Sequence, residues 1–258
     1  MAEYNTIRAG AGVQTAALDE GLRAHMSKVY GTMSVGMVIT AAASWAISGL
    51  TTTSDAAQAV AAMPNGTMLT NFGATLYDSP LKWVVMFLPL AMVFLFSATI
   101  NRISAAAAQL FFYAFAAAMG VSISWIFLVF TSFSIVQIFL ITAVAFASLS
   151  LYGYTTKRNL TGMGTFLMMG LVGLFVAMLV NIWLQSPAIM FAVSAIGVLI
   201  FAGLTAYDTQ KIKTTYLAHA SGGDSEWLGK AAIMGALELY LDFINMFMFM
   251  LQLFGNRE

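Results

Sequence analysis

The stretch AAIMGALELYLDFINMFMFMLQLF, residues 231–254, decides how the rest of this chain is read. Almost every position is Leu, Met, Phe, Ile or Ala, yet Glu238, Asp242, Asn245 and Gln252 interrupt the run at steps of four, three and seven. Those steps return all four side chains to one face of an α-helix. A helix this apolar is long enough to cross a bilayer, where a charge at the centre costs about 2.5–3.5 kcal/mol even on the lenient insertion scale. The polar stripe must therefore turn away from lipid, toward a cavity or toward polar partners. Asp208, at the end of the preceding apolar run, is the nearest candidate partner.

Composition places the whole chain in the same class. Of its 258 residues 60% are hydrophobic and 9% charged, against about 25% charged in a soluble domain. A span needs roughly 17–25 mostly apolar residues. Six runs meet this, at about 29–50, 81–101, 105–129, 133–154, 162–184 and 188–207, and residues 231–254 make a seventh. The runs are continuous rather than alternating, which argues against a barrel. The expected fold class is an all-α integral membrane protein, with a polar N-terminal tail over residues 1–26 and a single seven-helix domain over 27–258. The tail contains no apolar segment of the kind a cleavable signal peptide needs. The longest connection, residues 51–80, reads as an extracytoplasmic loop with a short surface helix, and the other loops are tight, as antiparallel neighbours require.

Orientation follows from the basic residues. With the N-terminus inside, the inner segments hold Arg8, Arg23, Lys28, Arg102, Lys157, Arg158, Lys211, Lys213 and Lys230, nine of the eleven Lys and Arg residues. Whether the seventh segment crosses completely or turns back stays open. Helix packing is expected on small residues, including Gly120, the pair Gly170 and Gly173, and Gly197 with Gly203. A net charge of zero gives no reason to expect nucleic-acid binding, and the absence of cysteine removes disulfides and thiolate chemistry.

Missing residues narrow the chemistry further. The two histidines, His25 and His219, both fall in segments expected to be cytoplasmic, and no P-loop, HExxH or dinucleotide fingerprint occurs. An enzyme is not expected, nor a resident cofactor, although two facing carboxylates are also all that an aspartyl membrane protease needs. What remains is carboxylate chemistry. Asp208 and Asp242 can meet only if the sixth span continues toward Lys213 or the seventh begins before the membrane; residues 206–216 contain no Gly or Pro to stop a helix. Two carboxylates that meet in a poorly hydrated site cannot both ionise, so they would share a proton and act as a pH-sensitive latch. Losing that proton would drive the helices apart and open an oxygen-lined route suited to calcium. Arg102, at the end of the second span, is the cation expected to pair with one of the acids. Plainer readings stand beside these: Asp208 paired with Lys211 or Lys213, Glu238 snorkelling, Asn245 as helix–helix glue, Arg102 as a positive-inside anchor.

Two segments carry a family likeness. LTAYDTQKIK, residues 204–213, and ALELYLDFIN, residues 236–245, resemble the paired signatures of the transmembrane Bax-inhibitor-motif family, and the likeness extends over the span and loop pattern of nearly the whole chain. The resemblance implies seven helices with the last one central. It also implies a pH-sensitive calcium leak in a bacterial inner membrane, in which Asp208 and Asp242 match the pH-sensing aspartate pair and Arg102 the arginine of the second helix. On that basis calcium and protons are the expected ligands, with Asp208 and Asp242 the tentative calcium contacts and Glu238, Asn245 and Gln252 along the ion path. A different implied role is that of a non-conducting regulator that binds and inhibits a membrane AAA protease. Two departures from the family pattern are visible: no acidic residue occurs in residues 81–100, and Glu238 stands where a small polar residue is common.

Overall fold

A computed structural model describes the chain apart from residues 1, 64, 65, 223 and 258, and gives the backbone alone for residues 2–17 and 221. Helix α1 (Ala2–Thr51) is followed by a small hairpin of β1 (Ala61–Ala62) and β2 (Met68–Leu69) and by the short helix α2 (Asn71–Tyr77). Helix α3 (Leu81–Thr99) leads to α4 (Ala105–Ile123), which a break at Ser124 separates from the single turn of α5 (Ile126–Val129). Then come α6 (Ser132–Thr155), α7 (Thr161–Leu184), α8 (Pro187–His219) and α9 (Ser225–Phe254). Among the described residues, seven helical stretches are long and apolar enough to cross a membrane, and the chain is an all-α membrane protein.

The boundaries follow local chemistry. Ser104, Thr131, Ser186 and Asp224 precede α4, α6, α8 and α9, and each side chain accepts a hydrogen bond from an N–H of the first turn. This satisfies a donor that the helix itself cannot pair. Pro187 opens α8, where its missing N–H costs nothing. Gln185, at φ 47°, ends α7 in the left-handed region and permits the tight reversal into α8.

Two elements extend beyond the apolar runs that mark them in the sequence. Helix α1 is continuous through residues 18–28, and Leu22, His25 and Met26 are buried in the bundle rather than held in a polar tail. Helix α8 runs past residue 207 to His219, because nothing in that polar segment interrupts it. The loop at residues 51–80 carries, besides the expected short helix, a hairpin that composition did not suggest.

Helix α9 packs against α8, α1, α6 and α4, whereas α3 lies chiefly on α4, and α7 chiefly on α8. Past Phe254 the chain reaches the segment that opens α6. The Thr131 N–H donates to the Asn256 carbonyl (3.0 Å), the Asn256 N–H donates to Ser134 Oγ (2.9 Å), and the Arg257 guanidinium lies over the Phe130 ring. Helix α9 thus runs the bundle from the α8–α9 turn to the opposite end without turning back.

Small residues set the close approaches. A Cβ at Gly235 would lie 2.8 Å from Ile212 Cγ1, and one at Gly197 would lie 2.6 Å from the Phe249 ring, so α8 and α9 pack at a separation that larger side chains would prevent. Gly120 meets Thr40 and Ala43, Gly170 meets Ile200 and Gly203 meets Leu167, as expected of packing surfaces; Gly173 faces open space. Helices α1 and α6 diverge around a cavity of about 1390 Å³, with Phe243 of α9 between them.

Candidate functional site

The site is built by the antiparallel register of α8 and α9. Ile212 packs on Gly235, and from that contact the register carries Lys211 to Glu238 and Asp208 to Asp242. The extension of α8 to His219 is what resolves the depth mismatch between the two aspartates, since it brings the α8–α9 turn well beyond Asp208.

The Asp208 and Asp242 side chains come together across the α8–α9 contact, close enough for their carboxyl groups to interact. Asp242 is 4% exposed, and its Oδ2 is buried with no hydrogen-bond donor. The Asp208 side chain is 13% exposed, and its Oδ1 lies 4.0 Å from Lys211 Nζ. The same ammonium donates to Glu238 Oε1. Three carboxyl groups and one cation therefore share this stretch of the α8–α9 contact. A cavity of about 250 Å³ leads to it from the α8–α9 turn, between His25, Trp227 and Lys230, and its lining ends at Lys211 and Glu238.

Arg102 is not part of this cluster. It is exposed in the α3–α4 turn, and the ion pairs among the described residues are Lys211–Asp208, Lys211–Glu238 and Lys230–Glu226. The turn places Arg102 at the end of the bundle, while both aspartates lie inside helices, so the cation beside the acids is Lys211. Asn245 is half-buried and donates to the Leu241 carbonyl of its own helix (2.8 Å), and Gln252 is half-buried near the far end of α9. Among the described residues no three His, Asp or Glu side chains come together in a metal-site arrangement. Two carboxylates supply at most four of the six to eight oxygens that calcium takes. The pair alone therefore does not complete a calcium coordination shell.

Two hydroxyl networks beside the acids have no clear mark in the sequence. Thr40 Oγ1 lies 2.9 Å from the Ala116 carbonyl, 3.0 Å from the Gly36 carbonyl and 2.6 Å from the Tyr240 hydroxyl. A threonine has one proton to give, so it donates to a carbonyl and accepts from Tyr240. Tyr240 is wholly buried, and this contact ties α9 to α1 and α4. The second network crosses the α1–α6 cavity. Thr209 donates to the Thr205 carbonyl, so it accepts from Ser150 (2.9 Å), which in turn accepts from Tyr30 (2.6 Å). The one available signal is general: a hydroxyl inside an apolar helix must find a partner.

Fold and site define a seven-span helical membrane protein with a carboxyl pair held inside its α8–α9 contact. The family model described as "Inhibitor of apoptosis-promoting Bax1" matches residues 22–258, and the chain belongs to this Bax inhibitor-1 family. It is 43% identical over 239 residues to "Inner membrane protein YbhL" of Escherichia coli, covering 92% of this chain and 94% of that protein. An uncharacterized protein of Caulobacter vibrioides is 40% identical over 243 residues (94% and 92%), and one of Rickettsia prowazekii is 40% identical over 240 (93% and 92%).

Proposed function

We propose that this protein is a pH-sensitive, calcium-permeable leak in a bacterial inner membrane, with its N-terminus cytoplasmic, gated by the proton shared between Asp208 and Asp242. The observation that carries the reading is the contact of these carboxyl groups, one of them nearly inaccessible and with an oxygen that no donor reaches. Two carboxylates hold such a contact only with a proton between them, because like charges at that range in a poorly hydrated site repel strongly. With the proton in place, α8 and α9 stay joined. Its loss leaves Asp208, Asp242 and Glu238 facing the single charge of Lys211, and the excess negative charge pushes the helices apart. The cavity that ends at Lys211 and Glu238 would then continue into a carboxylate-lined passage. The concentration of Lys and Arg at the α8–α9 end supports a cytoplasmic location for that mouth.

The sign is fixed by this mechanism: flux is low where the pair holds its proton and rises as pH increases. Liposomes loaded with a calcium dye should show several-fold faster influx at pH 8 than at pH 6. Asp242→Asn keeps a hydrogen bond to Asp208 without the titrating charge, so its flux should stay low and flat between these values. Equal flux for both proteins at both pH values would sink the gate, and flux no greater than that of protein-free liposomes would favour the non-conducting regulator of a membrane protease.

A further inference from the structure

A second cavity lies at the same end of the bundle and shares Lys211 with the acid cluster. It measures about 450 Å³ and is lined by Lys157, Arg158, Lys211 and Lys213, with the hydroxyls of Thr161 and Thr214 among its polar groups. Among the described residues no Asp or Glu lines it. Lys157 and Arg158 are exposed and belong to none of the ion pairs among the described residues. Lys213 is held in place by its hydrogen bond to the Tyr154 carbonyl (2.8 Å). The loop carrying Lys157 and Arg158 is fixed from α8 at two points: Gln210 Nε2 donates to the Arg158 carbonyl (2.7 Å), and Gln210 Oε1 accepts from the Leu160 N–H (2.8 Å). One side chain thus clamps the basic loop against the helix that supplies the other two cations.

Lys211 is already answered by Glu238 and Asp208, which leaves the charges of Lys157, Arg158 and Lys213 to repel one another unless an anion occupies this preformed concavity. The beginning of α7 adds the positive end of a long helix: Asn159 Oδ1 accepts from the Thr161 N–H, and the N-cap residue Leu160 has no side-chain acceptor for the N–H groups that follow. From this mouth α7 continues as an apolar flank, with Phe166 72% and Met169 70% exposed. Charge at the rim and bare hydrocarbon beneath it match the two halves of one molecule. We propose that this pocket binds the phosphate of an anionic phospholipid, whose acyl chains lie along the exposed face of α7.

The test is native mass spectrometry of the full chain in detergent with added phosphatidylglycerol or phosphatidylcholine. Phosphatidylglycerol should be retained in preference, and the double change Lys157→Gln with Arg158→Gln should lower its retention by roughly tenfold. Arg102→Gln, which removes a charge at the same end but outside the pocket, should leave retention unchanged. Thr214→Trp fills the pocket without removing charge and should also lower it, which separates a built site from general surface charge. Unchanged phosphatidylglycerol retention in the double variant or in Thr214→Trp overturns the proposal. Displacement of the lipid by an equal concentration of glycerol 3-phosphate overturns the lipid assignment in favour of a soluble phosphate ester. None of these readings depends on calcium flux, so they stand or fall separately from the gate.

Discussion

Helices α7 and α9 are both membrane-length and lie on either side of α8, yet they invert the usual relation between apolarity and burial. The apolar window of α7 has a mean hydropathy of 2.3 and is 17% buried, whereas that of α9 has 1.4 and is 67% buried. In water the more apolar helix would sit deeper. In lipid the solvent is itself hydrocarbon, so apolar side chains gain nothing by leaving it, and polar groups are what must be enclosed. Helix α7 exposes Phe166, Met169, Val172 and Trp183, while α9 buries Asp242 beside Asp208 and Tyr240 against Thr40.

The contrast is broken most severely by crowding. Gly235→Leu on α9 forces a side chain into Ile212 and should cost roughly 1–3 kcal/mol, seen as a lower melting temperature in detergent and as a loss of pH dependence in flux. Gly173→Leu on α7, where a Cβ meets nothing, should change neither measurement. Equal losses at the two sites would mean that the α8–α9 approach is not special. A smaller effect is expected from Tyr240→Phe, which removes the contact to Thr40 and should destabilise by about 1 kcal/mol. The matching change on α7, Trp183→Phe, should stay within about 0.5 kcal/mol. Within the acid cluster a small effect is expected from Glu238→Gln: the pair with Lys211 is partly exposed, so thermal stability should move by no more than about 1 kcal/mol. A larger loss would show that Lys211 depends on Glu238 for its position beside Asp208.

How much of this was legible in the sequence depended on the signal each feature leaves. The spans stood out because lipid demands uninterrupted apolar length, and the α9 stripe because charges within such a run are conspicuous. The meeting of Asp208 with Asp242 was conditional on the sixth helix continuing through residues 206–216, and the absence of Gly and Pro there pointed the right way. For the cation the sequence offers two readings, Arg102 beside one of the acids or Lys211 paired with Asp208, and the structure has the second. Arg102 and Lys211 are equally visible as charges, but only the helical register shows that Lys211 faces Glu238 while Arg102 sits in a turn. Thr40, Ser150 and Thr209 were passed over because a hydroxyl costs little in an apolar helix that can offer its own carbonyl. Nothing in the residue type tells which of them reaches across to a neighbour. The early start of α1 was missed for a related reason: Leu22 and Met26 are too widely separated by polar residues to form a run, yet on a helix they share one face.

The bond from Tyr30 to Ser150 bridges helices that otherwise stand apart around the large lateral opening. A single neutral hydrogen bond contributes about 1 kcal/mol net, which is less than twice the thermal energy RT. The α1–α6 flank is thus joined across its cavity by a hydroxyl bridge, while α8 and α9 meet through the close packing that Gly235 and Gly197 allow.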